Sequence, residues 1–150
     1  MRLFAHIAWV LLMVPFLFGC DTGPKSARGF SLPDGDAKQG EITFVELKCH
    51  ACHTVSGVTL PEEQQEQSIK LGGEVAHIKT YGELVTSIIN PSHKLAKGYP
   101  HEAVASEDGQ SQMKNYNDAM MVSQLIDLVA FLQSHYKLQP YTPTDYHMYP

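Results

Sequence analysis

The stretch Gly40-Glu41-Ile42-Thr43-Phe44-Val45-Glu46-Leu47-Lys48-Cys49-His50-Ala51-Cys52-His53 decides the reading of the chain. Its last five residues place two cysteines three positions apart with a histidine directly after the second, the C-x-x-C-H pattern of haem attachment. Two thiols so spaced on one helical turn can add to the two vinyl groups of a haem, and the next residue then lies under the iron. The neutral imidazole of His53 donates to iron in either oxidation state. Covalent bonds from Cys49 and Cys52 keep the group from dissociating. Two other uses of a C-x-x-C pair fit less well. A thioredoxin-like dithiol needs a βαβ context and an electropositive helix start, whereas here the pair follows a helix. A zinc site needs further ligands, and there is no second Cys pair.

Upstream of the motif, Asp36 can cap a helix whose face runs Ala37, Gly40, Phe44 and Leu47, a spacing of three or four residues. This helix delivers the chain to Cys49. Downstream, a polar stretch to Gly73 that includes Pro61 and Glu62-Glu63-Gln64-Gln65-Glu66-Gln67 reads as a surface loop with at most one helical turn. Thr80 and Glu83 form a capping box, and Leu84, Val85, Ile88 and Ile89 form the buried stripe of a second helix, which stops at Asn90 because Pro91 follows. From Ser92 to Asp118 no helical periodicity is visible, and Gly98, Pro100 and Gly109 predict a loop with structural or ligand duties. A last helix is expected from about Ser123 to Tyr136, with Leu125, Leu128, Val129, Leu132 and Tyr136 on one side.

The termini carry separate information. Met1-Arg2 and the apolar run Leu3 to Phe18 have the anatomy of a secretory leader, being short for a membrane span and interrupted by Pro15. Leu17-Phe18-Gly19-Cys20 resembles a bacterial lipobox, which implies residues 1–19 as a lipoprotein signal peptide and Cys20 as a lipidated first residue. Asp21, in that same class of lipoproteins, favours retention at the inner membrane. Acyl chains contribute about 0.8 kcal/mol per buried CH₂ to such an anchor. Residues 20–35 are rich in Gly, Pro and Ser and suit a flexible tether, residues 36–137 hold the domain, and residues 138–150 read as an extended tail. The cysteines are then all accounted for, one for lipid and two for haem, with no disulfide required. A net charge of −5 without a basic run argues against nucleic acid as a partner.

A second axial ligand has several candidates: Met113, Met120, Met121, Met148, His77, His93, His101, His135 and His147. Met113 lies in the loop just before the last helix, where a segment could fold over the open haem face. Met120 and Met121 sit at the helix start, where packing is their more common role. Met148 can reach only if the tail wraps back. His50, between the cysteines, is expected to face solvent.

Gly40 and Phe44 ahead of Cys49-His50-Ala51-Cys52-His53, taken with the segment from Met113 to Tyr136, resemble the class I monohaem cytochromes c. The resemblance covers roughly Asp36 to Tyr136. It implies an all-α cytochrome c fold, three to five helices around one covalently bound haem c. It also implies that Gly40 and Phe44 on the first helix pack against Phe131 and Tyr136 on the last, and that Met113 matches the ligand position, giving His53/Met113 ligation. The sequence departs from the family in two places. Lys114 stands where proline often follows the ligand methionine, and Gly57-Val58-Thr59-Leu60-Pro61 replaces the usual Gly-Pro after the motif, leaving the carbonyl partner of His53 unassigned. The segment from Thr86 to Pro100 is similar to a helix and Asn-Pro turn of related bacterial domains and reads as scaffold.

A soft thioether opposite an imidazole favours Fe(II) and leaves no vacancy for a substrate. The expected role is therefore an electron carrier held by lipid at the periplasmic side of the inner membrane, exchanging electrons with redox protein partners and acting on no small molecule. Lys48, Lys70, Lys97 and Lys114 could rim the haem edge, although surface lysines are usually just solvated. Two alternatives share the motif: a haem enzyme or gas sensor with an open distal face, and a cytochrome subunit fixed within a larger oxidoreductase complex.

Overall fold

In the computed structural model, residues 30–61 and 68–142 are described. The leader, Cys20, the Glu62–Gln67 run, Met148 and His147 lie outside the described residues. Contacts divide the chain into two units, Met1–Leu32 and Pro33–Pro150, and the helices and strands of the described residues all belong to the second.

Helix α1 spans Ala37–Glu46 and begins where Asp36 was expected to cap it. The Asp36 carboxylate accepts from the backbone N–H groups of Lys38 at 2.8 Å and Gln39 at 3.3 Å, satisfying donors that the first turn cannot pair internally. Helix α2, Tyr81–Ile89, carries the full capping box: the Glu83 N–H donates to the Thr80 hydroxyl at 3.2 Å, and the Thr80 N–H donates to the Glu83 carboxylate at 3.0 Å. It ends at Asn90, ahead of Pro91. A third helix, α3, covers His101–Val104 inside the segment read as loop. It is a single turn, too short to reveal a 3.6-residue period. Helix α4 runs Val122–Ser134 and so stops two residues before Tyr136, which instead begins a strand.

The core is the crossing of α1 and α4. Phe44 and Phe131 are 2% and 1% exposed, and their rings meet at 5.7 Å with a 58° tilt. Tilted aromatic pairs of this kind are worth roughly 0.5–1.5 kcal/mol beyond the area they bury. A Cβ on Gly40 would overlap the Asp127 carbonyl and the Phe131 Cβ, so only glycine lets the two helices approach this closely. Asp127 also reaches back, its Oδ1 accepting from the Asp36 N–H at 2.8 Å and bracing the start of α1 against α4. Leu128, Val129 and Leu132 of α4 share the core with Leu84, Val85 and Ile88 of α2, all of them buried.

The all-α expectation holds in part. The domain is mostly helical, with four α-helices among the described residues, but it also has a few short strands. Strand β1, His53–Val55, pairs in parallel with β2, Ile69–Leu71; β3, Gly73–Val75, pairs in parallel with β4, Tyr136–Leu138. Gly72 and Gly73, at φ of +74° and +86°, make the step between the two ladders. A side chain at Gly72 would press on the His135 carbonyl, which accepts from the Gly73 N–H at 2.8 Å. The first residues of the segment read as an extended tail are paired: Leu138 aligns with Val75, and the Gln139 N–H donates to the Val75 carbonyl at 3.0 Å.

Candidate functional site

The motif sits at the point where α1 turns into β1. Leu47 closes the helix, its N–H donating to the Thr43 carbonyl, and the Lys48 N–H donates to Val45. Lys48 then takes the left-handed conformation, φ +56° and ψ +32°, that helix ends usually assign to glycine. This reversal starts a tight 3-10 turn, Cys49–Ala51, closed by the bonds from Ala51 N to Lys48 O at 3.1 Å and from Cys52 N to Cys49 O at 3.2 Å. Cys49 is half-buried and Cys52 exposed, and both are free thiols. Burial, with Cys52 adding to it, pushes the Cys49 thiol up to about 11.

His53 is fixed twice. Its backbone enters the β1–β2 ladder opposite Ile69, whose N–H donates to the Cys52 carbonyl at 2.8 Å. Its ring Nδ1 lies 3.2 Å from the Ile69 carbonyl oxygen. A carbonyl can only accept, so Nδ1 carries the proton and Nε2 keeps its lone pair for a metal. Burial lowers the His53 pKa and favours that neutral form. The next residue of the strand is held as well, the Lys70 N–H donating to the Tyr99 hydroxyl at 2.9 Å. Ile69 supplies the carbonyl partner that sequence reasoning left unassigned. His50 departs from expectation: it is 3% exposed, because the tight turn directs inward the residue expected to face solvent.

Met113 is half-buried in a loop anchored on both sides. Before it, Ser111 forms a bridge with Ala105 and donates its N–H to Ser92 at 3.0 Å, while the Gln112 side-chain amide donates to the Glu102 carbonyl at 2.6 Å. After it, the Tyr116 hydroxyl donates to the Leu47 carbonyl at 2.8 Å, and Asn117 donates to the Ile89 carbonyl at 2.9 Å. Tyr116 thus ties this loop to the residue two positions ahead of Cys49. Partial burial, then Cys49 and Cys52, raise its phenol above the ordinary range.

The other described candidates for a second ligand are placed differently. Met121 is 64% exposed at the start of α4, and its N–H donates to Gln124. His135 packs edge-on to Phe131 at 4.8 Å and gives its Nδ1 proton to the Phe131 carbonyl. His93 gives its Nδ1 proton to the Asn90 carbonyl at 2.8 Å, its neighbour on an exposed 3-10 turn, and the His77 side chain is 78% exposed. His101 is exposed on α3, and Met120 is half-buried just before α4.

Two free thiols one turn apart, an adjacent imidazole with Nδ1 engaged and Nε2 available, and a clamped methionine loop tied to the end of the helix that leads to them make a donor set that fits a haem c. Ile69, Tyr99 and Tyr116 were not found by sequence reasoning. Tyr116 stood out only as an aromatic within the polar run Lys114-Asn115-Tyr116-Asn117. Among the described residues no group of three or more His, Cys, Asp or Glu is arranged for a metal, and no helix is long and apolar enough to cross a membrane. No family model, curated protein or solved structure matches the chain.

Proposed function

We propose that this protein is a single-haem c-type electron carrier of the cytochrome c class, with thioether links at Cys49 and Cys52 and His53 and Met113 as axial ligands. The observation that carries the reading is the bond from His53 Nδ1 to the Ile69 carbonyl, directly after two free thiols at C-x-x-C spacing. A bound haem supplies one-electron redox chemistry. His53 binds through Nε2, and the Ile69 carbonyl fixes its tautomer, limits ring rotation and raises its basicity. Met113, held between the Gln112 and Tyr116 anchors, would offer a soft sulfur as a second ligand to the iron. The packing of Gly40 and Phe44 against Phe131 supports the resemblance to class I cytochromes c. Lipidation at Cys20 places the carrier at the periplasmic face of a membrane, where redox protein partners of the same membrane meet it.

Expression with a c-type haem-attachment system tests this directly. The expected product carries one covalent haem by mass and by the pyridine haemochrome spectrum. Its ferric form shows the weak long-wavelength band of thioether ligation, and Met113→Ala abolishes that band. Rapid carbon monoxide binding by the unaltered protein would instead establish an open distal face, as in a haem enzyme or gas sensor.

A further inference from the structure

Tyr116 has a disposition that the haem reading alone does not require. It stands three residues after Met113 in a polar loop, yet it is half-buried. Its hydroxyl donates at 2.8 Å to the Leu47 carbonyl. That carbonyl belongs to the residue that closes α1, immediately before the left-handed Lys48 and the turn of Cys49. At a helix C-terminus the last carbonyls have no partner within the helix, so the phenol satisfies a group that would otherwise need water.

The bond also spans 69 residues of sequence. On the near side of Met113 the loop is pinned to α3 by Gln112 and to Ser92 by Ser111. On the far side, Asn117 holds the Ile89 carbonyl at the end of α2. Of these bonds, that of Tyr116 alone joins the methionine segment to the segment that carries the cysteines. The others fix the loop to the rest of the domain but leave its distance from the motif to be set by packing.

We propose that Tyr116 is a positioning residue for the distal ligand: its bond to Leu47 fixes the Met113 loop relative to the Cys49–His53 turn and so sets how firmly the Met113 sulfur resists displacement. The inference rests on the His53/Met113 haem reading. Tyr116 touches no reacting atom in this role. Its hydroxyl acts by removing loop conformations in which the thioether swings away, so its loss raises the population of a state with the iron's distal position free. A net hydrogen bond of ordinary strength corresponds to a change of roughly three- to tenfold in that population.

The test uses the haem-loaded full chain and compares the unaltered protein, Tyr116→Phe and Thr80→Ala. Phenylalanine keeps the ring and removes one oxygen. Thr80→Ala removes a hydroxyl–backbone bond at the start of α2 and controls for general loss of stability. Exogenous imidazole is titrated into the ferric proteins while the long-wavelength thioether band is followed. The expected result is that Tyr116→Phe keeps its covalent haem but binds imidazole about three- to tenfold more tightly, while Thr80→Ala melts earlier with unchanged imidazole affinity. Equal imidazole affinity in Tyr116→Phe and the unaltered protein overturns the positioning role and leaves the haem reading standing. An unaltered chain that takes up no haem, or lacks the thioether band, overturns the reading beneath it.

Discussion

The ring of His53 and the carbonyl of Ile69 are 3.2 Å apart, and the same two residues face each other in the β1–β2 ladder. The side chain and backbone of His53 are therefore held by one neighbour, 16 residues away. The constraint depends on the ladder, since the Ile69 N–H also binds the Cys52 carbonyl at 2.8 Å. Ile69→Pro removes that donor and disturbs the strand. In the haem-loaded protein the imidazole plane should then be less well defined, which electron paramagnetic resonance reads as broadened low-spin ferric signals. A spectrum as sharp as that of the unaltered protein would show that Ile69 does not orient the ring.

The helix crossing makes a stability prediction. At Gly40 an added methyl meets backbone, the Asp127 carbonyl, which cannot swing aside as a side chain could. Alanine is the better helix former by roughly 1 kcal/mol, but forcing α1 and α4 apart should outweigh that gain. An overpacking cost of about 2–3 kcal/mol less that gain leaves Gly40→Ala with an expected net loss of about 1–2 kcal/mol, measured as a lower urea midpoint. A midpoint equal to or above that of the unaltered chain would mean the crossing relaxes freely.

Lys48 predicts the opposite sign. A non-glycine residue at φ +56° bears a left-handed backbone that costs on the order of 1–2 kcal/mol. Lys48→Gly should therefore stabilise the domain by about 1 kcal/mol after the added flexibility of the unfolded chain is subtracted. A rise of several degrees in Tm is expected. A fall would show that contacts of the lysine side chain outweigh its backbone strain.

The capping box makes acid sensitivity local. The Thr80 N–H, followed by Lys79, the Thr80 hydroxyl and His77 nearby, lowers the Glu83 pKa, while slight desolvation opposes the shift. A lowered folded-state pKa means that the unfolded chain takes up the proton first. The stabilisation is thus complete above the ordinary glutamate value of about 4.3 and is lost as pH falls through the lower folded value. Glu83→Gln keeps a hydrogen-bonding N3 side chain without the charge. Its Tm deficit should shrink as pH falls below the ordinary glutamate value of about 4.3; a deficit independent of pH would exclude charge as the cause.

How much of this was legible in the sequence depended on the range of the interaction involved. The cap at Asp36, the capping box at Thr80 and the stop before Pro91 lie within a few residues of the groups they serve, so local composition discloses them. The strands escaped notice because three residues cannot display an alternating pattern, and because the partners are distant in sequence, as with Gly73 and Tyr136. The same limit explains His50: whether the residue between two cysteines faces water depends on the 3-10 turn that follows a left-handed Lys48.

The sequence by itself determined the chemistry that is contiguous: two thiols and an imidazole at fixed spacing, the helix that leads to them, and the pool of methionines and histidines from which a second ligand could come. Covalent connectivity sets those relations before any folding. Only the tertiary structure decided that Ile69 receives the His53 proton, that Phe44 and Phe131 close the core across Gly40, and that Tyr116 ties the Met113 loop to the end of the first helix. Each joins groups whose approach depends on how helices and loops pack, and in two of the three the acceptor is a backbone carbonyl. Every residue has such a carbonyl, so sequence cannot single one out.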